Sequence, residues 1–129
     1  MSPTPEQEAI IKSENLGYMA TLKRDGSPQV TPVNYAYAGG SILISTTKER
    51  AKYHNVRRNP NVSVCIVQEG GRPYVTVYGK ARVEEDDIVD GTAAIMRNMA
   101  NREPPDDFAA ALRQQRRVLI ILTPERFVP

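Results

Sequence analysis

The sequence predicts a mainly β fold in which about six short antiparallel strands close into a barrel, with helices at its periphery. Apolar and polar residues alternate in short runs, and residues 74–83 separate most clearly into one apolar and one polar face. Turn signals lie between the runs: Asp25-Gly26 in the first half, then Gly39-Gly40 and Gly70-Gly71. Because short strands with tight turns leave few unpaired edges when their sheet closes, this pattern favours a barrel.

Each strand is predicted from its own pattern. Pro32 lies within one of the runs and has no backbone N–H to donate, so its strand needs an unpaired edge or a bulge at that point. The predicted strands cover residues 18–22, 29–37, 42–46, 62–68, 74–83 and 117–123.

Helices are predicted around these strands. The first is amphipathic and is terminated by Gly17, and the acidic run at residues 84–87 opens another. In that second helix Met96 and Met99 are expected to pack in the core rather than line a cofactor site. A break at residues 101–105 then precedes a short last helix. These three helices are predicted over residues 5–15, 84–99 and 106–115.

Composition and charge limit the function classes. A chain of 129 residues has the size of one domain, so residues 1–129 are expected to share a single core. The chain is 40% hydrophobic and 25% charged, and no apolar run approaches the ~18 residues of a membrane-spanning helix. The lack of a secretory signal and the single cysteine favour a cytoplasmic protein. The net charge of +2 is too small for general nucleic-acid binding.

The first candidate site is the basic segment at residues 48–58. Thr46 and Glu49 match the Thr-x-x-Glu capping box, which predicts that a helix starts near Thr47. A helix N-terminus presents unpaired backbone N–H groups, and hydroxyls and cations beside it complete a cradle for phosphate. The alternative is a capped helix with exposed cations that binds nothing. The side chains that would form the cradle are Ser45, Thr46, Thr47, Lys48, Arg50 and Lys52.

Little else in the sequence can carry chemistry. His54 is the only histidine and is expected at the surface, and Cys65 is expected as a buried, inert thiol within a strand. One cysteine and one histidine do not make a typical metal site. The acids at residues 84–87 are expected to form a solvated cap. No side chain is therefore assigned a catalytic role, and an enzyme built this way needs a cofactor to supply the reaction.

Six short segments occur in an order that is more specific than any one of them. They are GYMATL at residues 17–22, DGSPQVTPV at 25–33, STT with RAK at 45–52, NVRRNPNV at 55–62, YGKAR at 78–82 and RVLIIL at 117–122. In this order they resemble the split β-barrel flavin and deazaflavin oxidoreductases related to pyridoxamine 5'-phosphate oxidase. The resemblance spans nearly the whole chain.

This resemblance implies a six-stranded antiparallel split β-barrel that forms a homodimer, with two cofactor sites at the subunit interface. It implies that residues 29–33 lie along the tricyclic ring of a flavin-type cofactor and that residues 45–52 hold its phosphate. Carried over by position, the cofactor-binding residues are Gln29, Val30, Thr31 and Pro32 at the ring edge, Ser45, Thr46, Arg50, Ala51, Lys52 and Asn55 at the phosphate, and Pro73 and Tyr74 supplied by the partner subunit.

Departures from the family pattern favour one cofactor. The pyridoxamine phosphate oxidases carry an Arg and a Lys on the ring strand, where this chain has Gln29 and Val33, and a C-terminal Arg-x-His that residues 124–129 lack. The local sequence is similar to the actinobacterial branch that uses coenzyme F420, a 5-deazaflavin with a phosphate and a polyglutamate tail. The tail would suit the further cations Lys48, Arg57 and Arg58. The implied activity is hydride transfer from reduced F420 to an electron-poor organic substrate, with protons from solvent.

Three alternatives remain open. The first is a reductase or oxidase on the same fold that uses FMN. The second is a non-enzymatic cofactor carrier. The third is a small basic barrel that binds single-stranded nucleic acid through residues 48–58. The preferred interpretation has a small-molecule substrate and a second copy of the chain as partners, without nucleic acid or a membrane.

Overall fold

A computed structural model describes residues 2–100 and 102–129 of the chain. Met1 and Asn101, which belongs to the predicted break, lie outside the described residues. Six strands form one closed antiparallel barrel, which confirms the predicted mainly β architecture. They are β1 (Leu16–Leu22), β2 (Pro28–Ala38), β3 (Ser41–Thr47), β4 (Asn61–Val67), β5 (Tyr74–Glu84) and β6 (Arg117–Val128). Around the barrel they follow the order β1-β2-β3-β6-β5-β4.

Helices surround the barrel, as predicted. A single 3-10 turn at Glu69–Gly71 joins β4 to β5. None of the described helices is long and apolar enough to cross a membrane. The helices are α1 (Pro5–Ser13), α2 (Ala51–Arg58), α3 (Val89–Ala100) and α4 (Phe108–Gln114).

The barrel opens between β2 and β3. These two strands pair only from Tyr35 to Ala38, and Ser45 at the far end of β3 pairs with β6 instead. Pro32 pairs with Tyr18 of β1 and has no β3 partner, which confirms the predicted edge at this proline. The two strands therefore separate beyond Tyr35, and their gap holds the candidate site.

The last strand is longer than predicted because Pro124 does not end it. The ladder between β5 and β6 contains a register shift between Tyr78 and Gly79, and Gly79 lies opposite Pro124. A Cβ at Gly79 would lie 2.1 Å from the backbone oxygen of Thr123. The missing side chain allows the two backbones to approach, and the missing donor of Pro124 falls at an irregular position of the ladder.

Two apolar clusters hold the structure together. The first fills the barrel and includes the fully buried Tyr35, Ile42 and Ile66. The second lies outside the barrel, where α3 and α4 cover β2, β3 and β6 with residues that include Ile95 and Leu112. Both helices are thereby fixed beside the gap between β2 and β3.

The boundaries of two helices differ from the prediction. α1 ends at Ser13, and Gly17 is a buried strand residue at which a Cβ would lie 2.9 Å from Cγ1 of Val64. The acidic run precedes α3, which begins only at Val89. Glu84 accepts hydrogen bonds from the backbone N–H groups of Asp86 and Asp87, so this run shapes a turn rather than a first helical turn.

The predicted capping box before α2 is wrong. Thr46 lies in β3 opposite Val118 and therefore does not occupy the N-cap position of α2. Glu49 pairs instead with Arg116, with 2.8 Å between Oε1 and Nη1. α2 begins at Ala51, and its N-cap Arg50 makes no side-chain capping bond. Pairing with β6 keeps the chain extended through the residues that local propensity assigns to a helix.

Candidate cofactor-binding site

A groove of about 600 Å³ lies in the gap between β2 and β3. β2 contributes Pro32, Val33 and Asn34, and α3 and α4 form the opposite wall. Five predicted site residues therefore line one cavity although the predicted capping box is absent. They are Pro32, Ser45, Thr46, Arg50 and Lys52.

The groove is cationic. Its lining includes Arg50, Lys52, Arg102 and Arg117, and no acidic residue lines it in the described part of the chain. Within residues 2–100 and 102–129, no carboxylate forms an ion pair with Arg50 or Lys52. Cations that converge without a carboxylate partner attract an anion, which is the property that a phosphate site requires.

The surroundings of Lys52 lower its pKa. Burial, and after it the positive charge of Arg50, holds the pKa of Lys52 below its ordinary value of 10.5. Both causes disfavour the charged form, and a bound anion would oppose both of them.

Arg117 lies at the start of β6, where it contacts the hydroxyl group of Ser45 and adds a further cation to the groove. Its Nη1 lies 3.4 Å from Oγ of Ser45 and donates to it, and its Nε donates to Oε1 of Gln115 at 3.0 Å. These contacts hold the guanidinium beside the end of β3. It can therefore share an anion with Ser45 and Lys52 without first being ordered.

One wall of the groove is apolar. Met96 is partly buried there, and Met99 has 47% of its surface exposed. The prediction that these methionines belong to the core is therefore wrong, because α3 turns this face toward the groove rather than the barrel. The apolar side chains of this wall are Ile95, Met96, Met99, Phe108 and Leu112. A ligand with an anionic end and an apolar body matches this arrangement.

Asn55 differs from the other predicted phosphate residues because it is 4% exposed and does not line the groove. Its Nδ2 donates to Oγ1 of Thr21 at 3.1 Å and to Oε1 of Gln29 at 2.9 Å. Its Oδ1 accepts from Nη2 of Arg58 at 2.6 Å. Every polar atom of this side chain is thus engaged within the chain.

Comparison with known proteins assigns the family. A sequence model described as "Pyridoxamine 5'-phosphate oxidase" matches residues 3–128. The chain belongs to the pyridoxamine 5'-phosphate oxidase family. Its barrel accordingly has the flavin-binding oxidoreductase fold of that family.

Individual proteins resemble this chain to different extents. General stress protein 26 of Bacillus subtilis (strain 168) is 31% identical over 77 residues, which cover 57% of this chain and only 54% of that protein. A conserved hypothetical protein from Mycobacterium tuberculosis has a TM-score of 0.83 at 21% identity, over 98% of this chain and 83% of that one. An F420 reductase has a TM-score of 0.77 at 26% identity, over 98% of both chains.

The residues that the family resemblance assigns to the ring are divided between two sides of β2. Val30 points outward and is 62% exposed, and Pro32 lies on the same side and reaches the groove. Gln29 and Thr31 occupy the alternate positions and are partly buried. Ala51 is exposed at the start of α2. All four strand residues thus lie on the free part of β2.

Pro73 and Tyr74, assigned by the family resemblance to the partner subunit, are both exposed at the start of β5. Neither lines the groove of its own chain. Tyr74 belongs to a continuous outer face on β5, β4, β1 and β2, which we define by its outward residues. Its members are Leu16, Tyr18, Ala20, Leu22, Pro28, Val30, Pro32, Ser63, Cys65, Val67, Tyr74, Thr76 and Tyr78, none of which is charged; the next outward positions of β5, Lys80 and Arg82, are charged and limit the face.

Cys65 also belongs to the outer face. This thiol is only partly buried and lies between Tyr18 of β1 and Thr76 of β5, so the prediction of a buried cysteine is wrong. His54 is exposed, as expected. Strand alternation, which turns Cys65 away from the barrel interior, explains the difference.

The three cations that were expected to bind the anionic tail of the cofactor already have partners within the chain. Nζ of Lys48 lies 3.0 Å from Oε1 of Glu85, and Nη1 of Arg57 donates to the hydroxyl of Tyr53 at 3.2 Å. Arg58 is bound to Asn55. Arg102 and Arg117 line the groove instead, and neither was predicted from the sequence. Arg117 could have been identified from its position at the start of an apolar strand, because a charged side chain there lies at the rim of a barrel.

Proposed function

We propose that this chain binds reduced coenzyme F420 in the groove and uses it to transfer a hydride to an electron-poor organic substrate. The observation that carries the proposal is the pair of cations without carboxylate partners, Arg50 and Lys52, at the gap between β2 and β3. The F420 reductase that resembles the chain over 98% of both lengths supports the choice of cofactor.

The donor set fits the phosphate of such a cofactor. Arg50, Lys52 and Arg117 would bind it through charge-assisted hydrogen bonds, and Ser45 and Thr46 would add hydroxyl groups. When bound, the reduced deazaflavin supplies the hydride. The chain's own contribution is to hold the phosphate and the ring edge in a fixed orientation, because no side chain is assigned acid or base catalysis.

The substrate would lie against the apolar wall. Met96 and Met99 adapt to different shapes, and Phe108 offers an aromatic surface. An uncharged, planar acceptor of hydride suits this wall better than a charged one, because the cations lie at the other end of the groove.

The cations continue past the phosphate end, which favours F420 over FMN. Arg117 also lines a neighbouring pocket of about 270 Å³ together with Arg113, Arg116 and Lys48. The acids Glu85 and Asp86 line the same pocket, so its positive charge is only partial. Lys48 and Arg116 are already paired with Glu85 and Glu49. Arg113 and Arg117 have no carboxylate partner among the described residues, so a cofactor with carboxylates beyond its phosphate could use these two cations, whereas FMN ends at the phosphate.

FMN is the second candidate. The family match supports it, because the matched sequence model is that of pyridoxamine 5'-phosphate oxidase. Its phosphate would use the same Arg50 and Lys52.

Titration of the apo-protein with each cofactor separately tests the proposal. We expect F420 to bind at least about tenfold more tightly than FMN, because of its additional carboxylates, and to sustain hydride transfer to quinones or enones. Micromolar binding of FMN with no binding of F420 would overturn the choice of cofactor. Tight binding of F420 without turnover of any acceptor would instead indicate a cofactor carrier.

We further propose that the chain is a homodimer in which the outer face meets its copy. Leu16, Tyr18, Val30, Tyr74 and Tyr78 on this face are between 39% and 62% exposed. Large exposed apolar surfaces of this kind are typical of interfaces. Since Pro32 belongs both to this face and to the groove, the cofactor site would lie at the subunit boundary, within reach of the partner subunit's Tyr74.

Light scattering tests the homodimer. The wild-type chain is expected to have twice the mass of a single chain of 129 residues. Val30→Glu is expected to give a folded monomer, because it places a charge within an apolar interface at its most exposed side chain. Ala110→Glu, which places the same charge at an exposed position of α4 away from the outer face, is the control and should remain dimeric. A monomeric wild type, or a dimeric Val30→Glu, would exclude this interface.

A further inference from the structure

We propose that Asn55 is a positioning residue rather than a phosphate ligand: it fixes the side-chain amide of Gln29 so that N–H groups, not the carbonyl oxygen, are offered to the edge of the bound ring. This inference deepens the proposed function and rests on it for the presence of the ring. The orientation of the amide itself rests on contacts within the chain.

Arg58 determines the direction of the hydrogen bonds that the Asn55 side chain makes. A guanidinium can only donate, so the atom of Asn55 that lies 2.6 Å from Nη2 of Arg58 must be the carbonyl oxygen Oδ1. Arginine thereby removes the ambiguity between oxygen and nitrogen that an amide otherwise has. The NH₂ group of Asn55 must consequently face the other way, into the protein.

The two N–H groups of Asn55 are both used there. One reaches Oγ1 of Thr21 at 3.1 Å, and the other reaches Oε1 of Gln29 at 2.9 Å. Thr21 and Asn55 are 3% and 4% exposed, so neither group can exchange its partner for water without a large cost. Gln29 therefore uses its oxygen internally.

What remains of the Gln29 amide is its Nε2 group, for which the described residues provide no hydrogen-bond partner. The residue is only partly buried and lies on the part of β2 that has no β3 partner, three residues before the groove residue Pro32. Gln29 does not itself line the groove, and its contact with the ring is what the family resemblance implies. A donor at this position selects a ligand that presents an acceptor, such as a carbonyl oxygen or an unprotonated ring nitrogen at the pyrimidine edge of a flavin or deazaflavin. The arrangement transmits donor character over three side chains, from Arg58 to the ring edge.

The substitution Asn55→Asp tests this directly. A carboxylate still accepts from Arg58 but cannot donate, so Gln29 must turn its NH₂ toward the carboxylate and offer its oxygen to the ring. We expect about a tenfold loss of affinity for F420, or for FMN if that cofactor binds, because an attractive contact becomes a repulsive one. In a Gln29→Ala background the same substitution should change the affinity by less than about twofold.

Comparing Asn55→Asp in the wild-type and Gln29→Ala backgrounds separates a positioning role of Asn55 from direct binding of the phosphate. If Asn55 touches the phosphate, Asn55→Asp places a negative charge beside it and the loss will be equally large with or without Gln29. An equal loss in the two backgrounds would overturn the proposal. The matched pair Arg58→Met and Arg57→Met supplies a second comparison, since only Arg58 contacts Asn55. We expect a loss of about threefold for Arg58→Met that disappears in Gln29→Ala, and none for Arg57→Met. This pair decides the matter if Asn55→Asp does not fold.

A measurement on the apo-protein keeps this test independent of the proposed function. Proton exchange of the Gln29 side-chain NH₂ group, followed by NMR, should slow in Asn55→Asp, because the group then donates to a carboxylate. The Asn55 NH₂ group should be protected in the wild type. Unchanged exchange at Gln29 would refute the orientation, whether or not a cofactor binds. Failure of both cofactors to bind, with the NMR result as expected, would refute the proposed function alone.

Discussion

Two pairs of cations lie close together in the sequence but have different roles in the structure. Arg50 and Lys52 line the groove and have no carboxylate partner among the described residues, whereas Arg57 and Arg58 at the end of α2 are bound to Tyr53 and Asn55. The first pair is left available for a ligand, and the second stabilises the chain itself. A basic segment can therefore act as an anion site only where the fold provides no intramolecular partners for its cations.

The two pairs of cations should differ most in their contribution to the free energy of unfolding. Asn55→Leu removes the acceptor for Arg58 and leaves the buried hydroxyl of Thr21 without its partner. We expect the free energy of unfolding to fall by about 2–3 kcal/mol, as chemical denaturation would measure it. If Arg50 and Lys52 also stabilised the fold, the double variant Arg50→Ala/Lys52→Ala would lose a similar amount of the free energy of unfolding. We expect that double variant to lose less than about 0.5 kcal/mol.

The pH dependence of binding sharpens the role of Lys52. Because burial and Arg50 lower its pKa, Lys52 loses its proton at a lower pH than an ordinary lysine. Affinity for the anionic cofactor should therefore decline as the pH rises toward 10.5, starting below that value. Lys52→Arg should keep its affinity over the same range, because arginine stays protonated. Identical pH profiles for wild type and variant would mean that Lys52 does not contact the anion.

A smaller effect concerns the stability of the apo-protein. The lowered pKa of Lys52 means that the unfolded chain binds its proton more strongly, so Lys52 destabilises the apo-protein below its folded-state pKa and this penalty fades between that pKa and 10.5. Lys52→Met removes the charge and keeps the aliphatic stem. We expect a gain of about 0.5 kcal/mol at pH 7 together with weaker cofactor binding. A loss of stability would indicate that Lys52 has a structural partner.

Much of the fold followed from local patterns. Alternation and turn glycines located all six strands, and Pro32 predicted an edge that proves to be one side of the groove. The errors arose where tertiary pairing overrides local preference. Thr46 and Glu49 match a capping box, yet pairing with β6 keeps Thr46 in a strand. Pro124 is a strong strand breaker, yet Gly79 across the ladder accommodates it.

The polar and cationic part of the candidate site was predictable from residue patterns only where its residues are adjacent in sequence. Ser45, Thr46, Arg50 and Lys52 form one segment and were found together. Arg102 and Arg117 come from distant segments, and only the folded chain brings them to the same groove. Asn55 belongs to the recognisable segment, but its side chain points to Thr21 and Gln29, a direction that spacing alone does not give.

The central claim is that the gap between β2 and β3 anchors a phosphate-bearing cofactor through Arg50 and Lys52. The most direct test is the affinity of Arg50→Ala/Lys52→Ala for F420 and for FMN, measured by fluorescence or calorimetric titration against the matched control Lys23→Ala/Arg24→Ala in the exposed β1–β2 turn. Two charge-assisted contacts predict a loss of at least about 100-fold in the first variant and less than about threefold in the control. Unchanged affinity in the groove variant, or an equal loss in both, would contradict the claim.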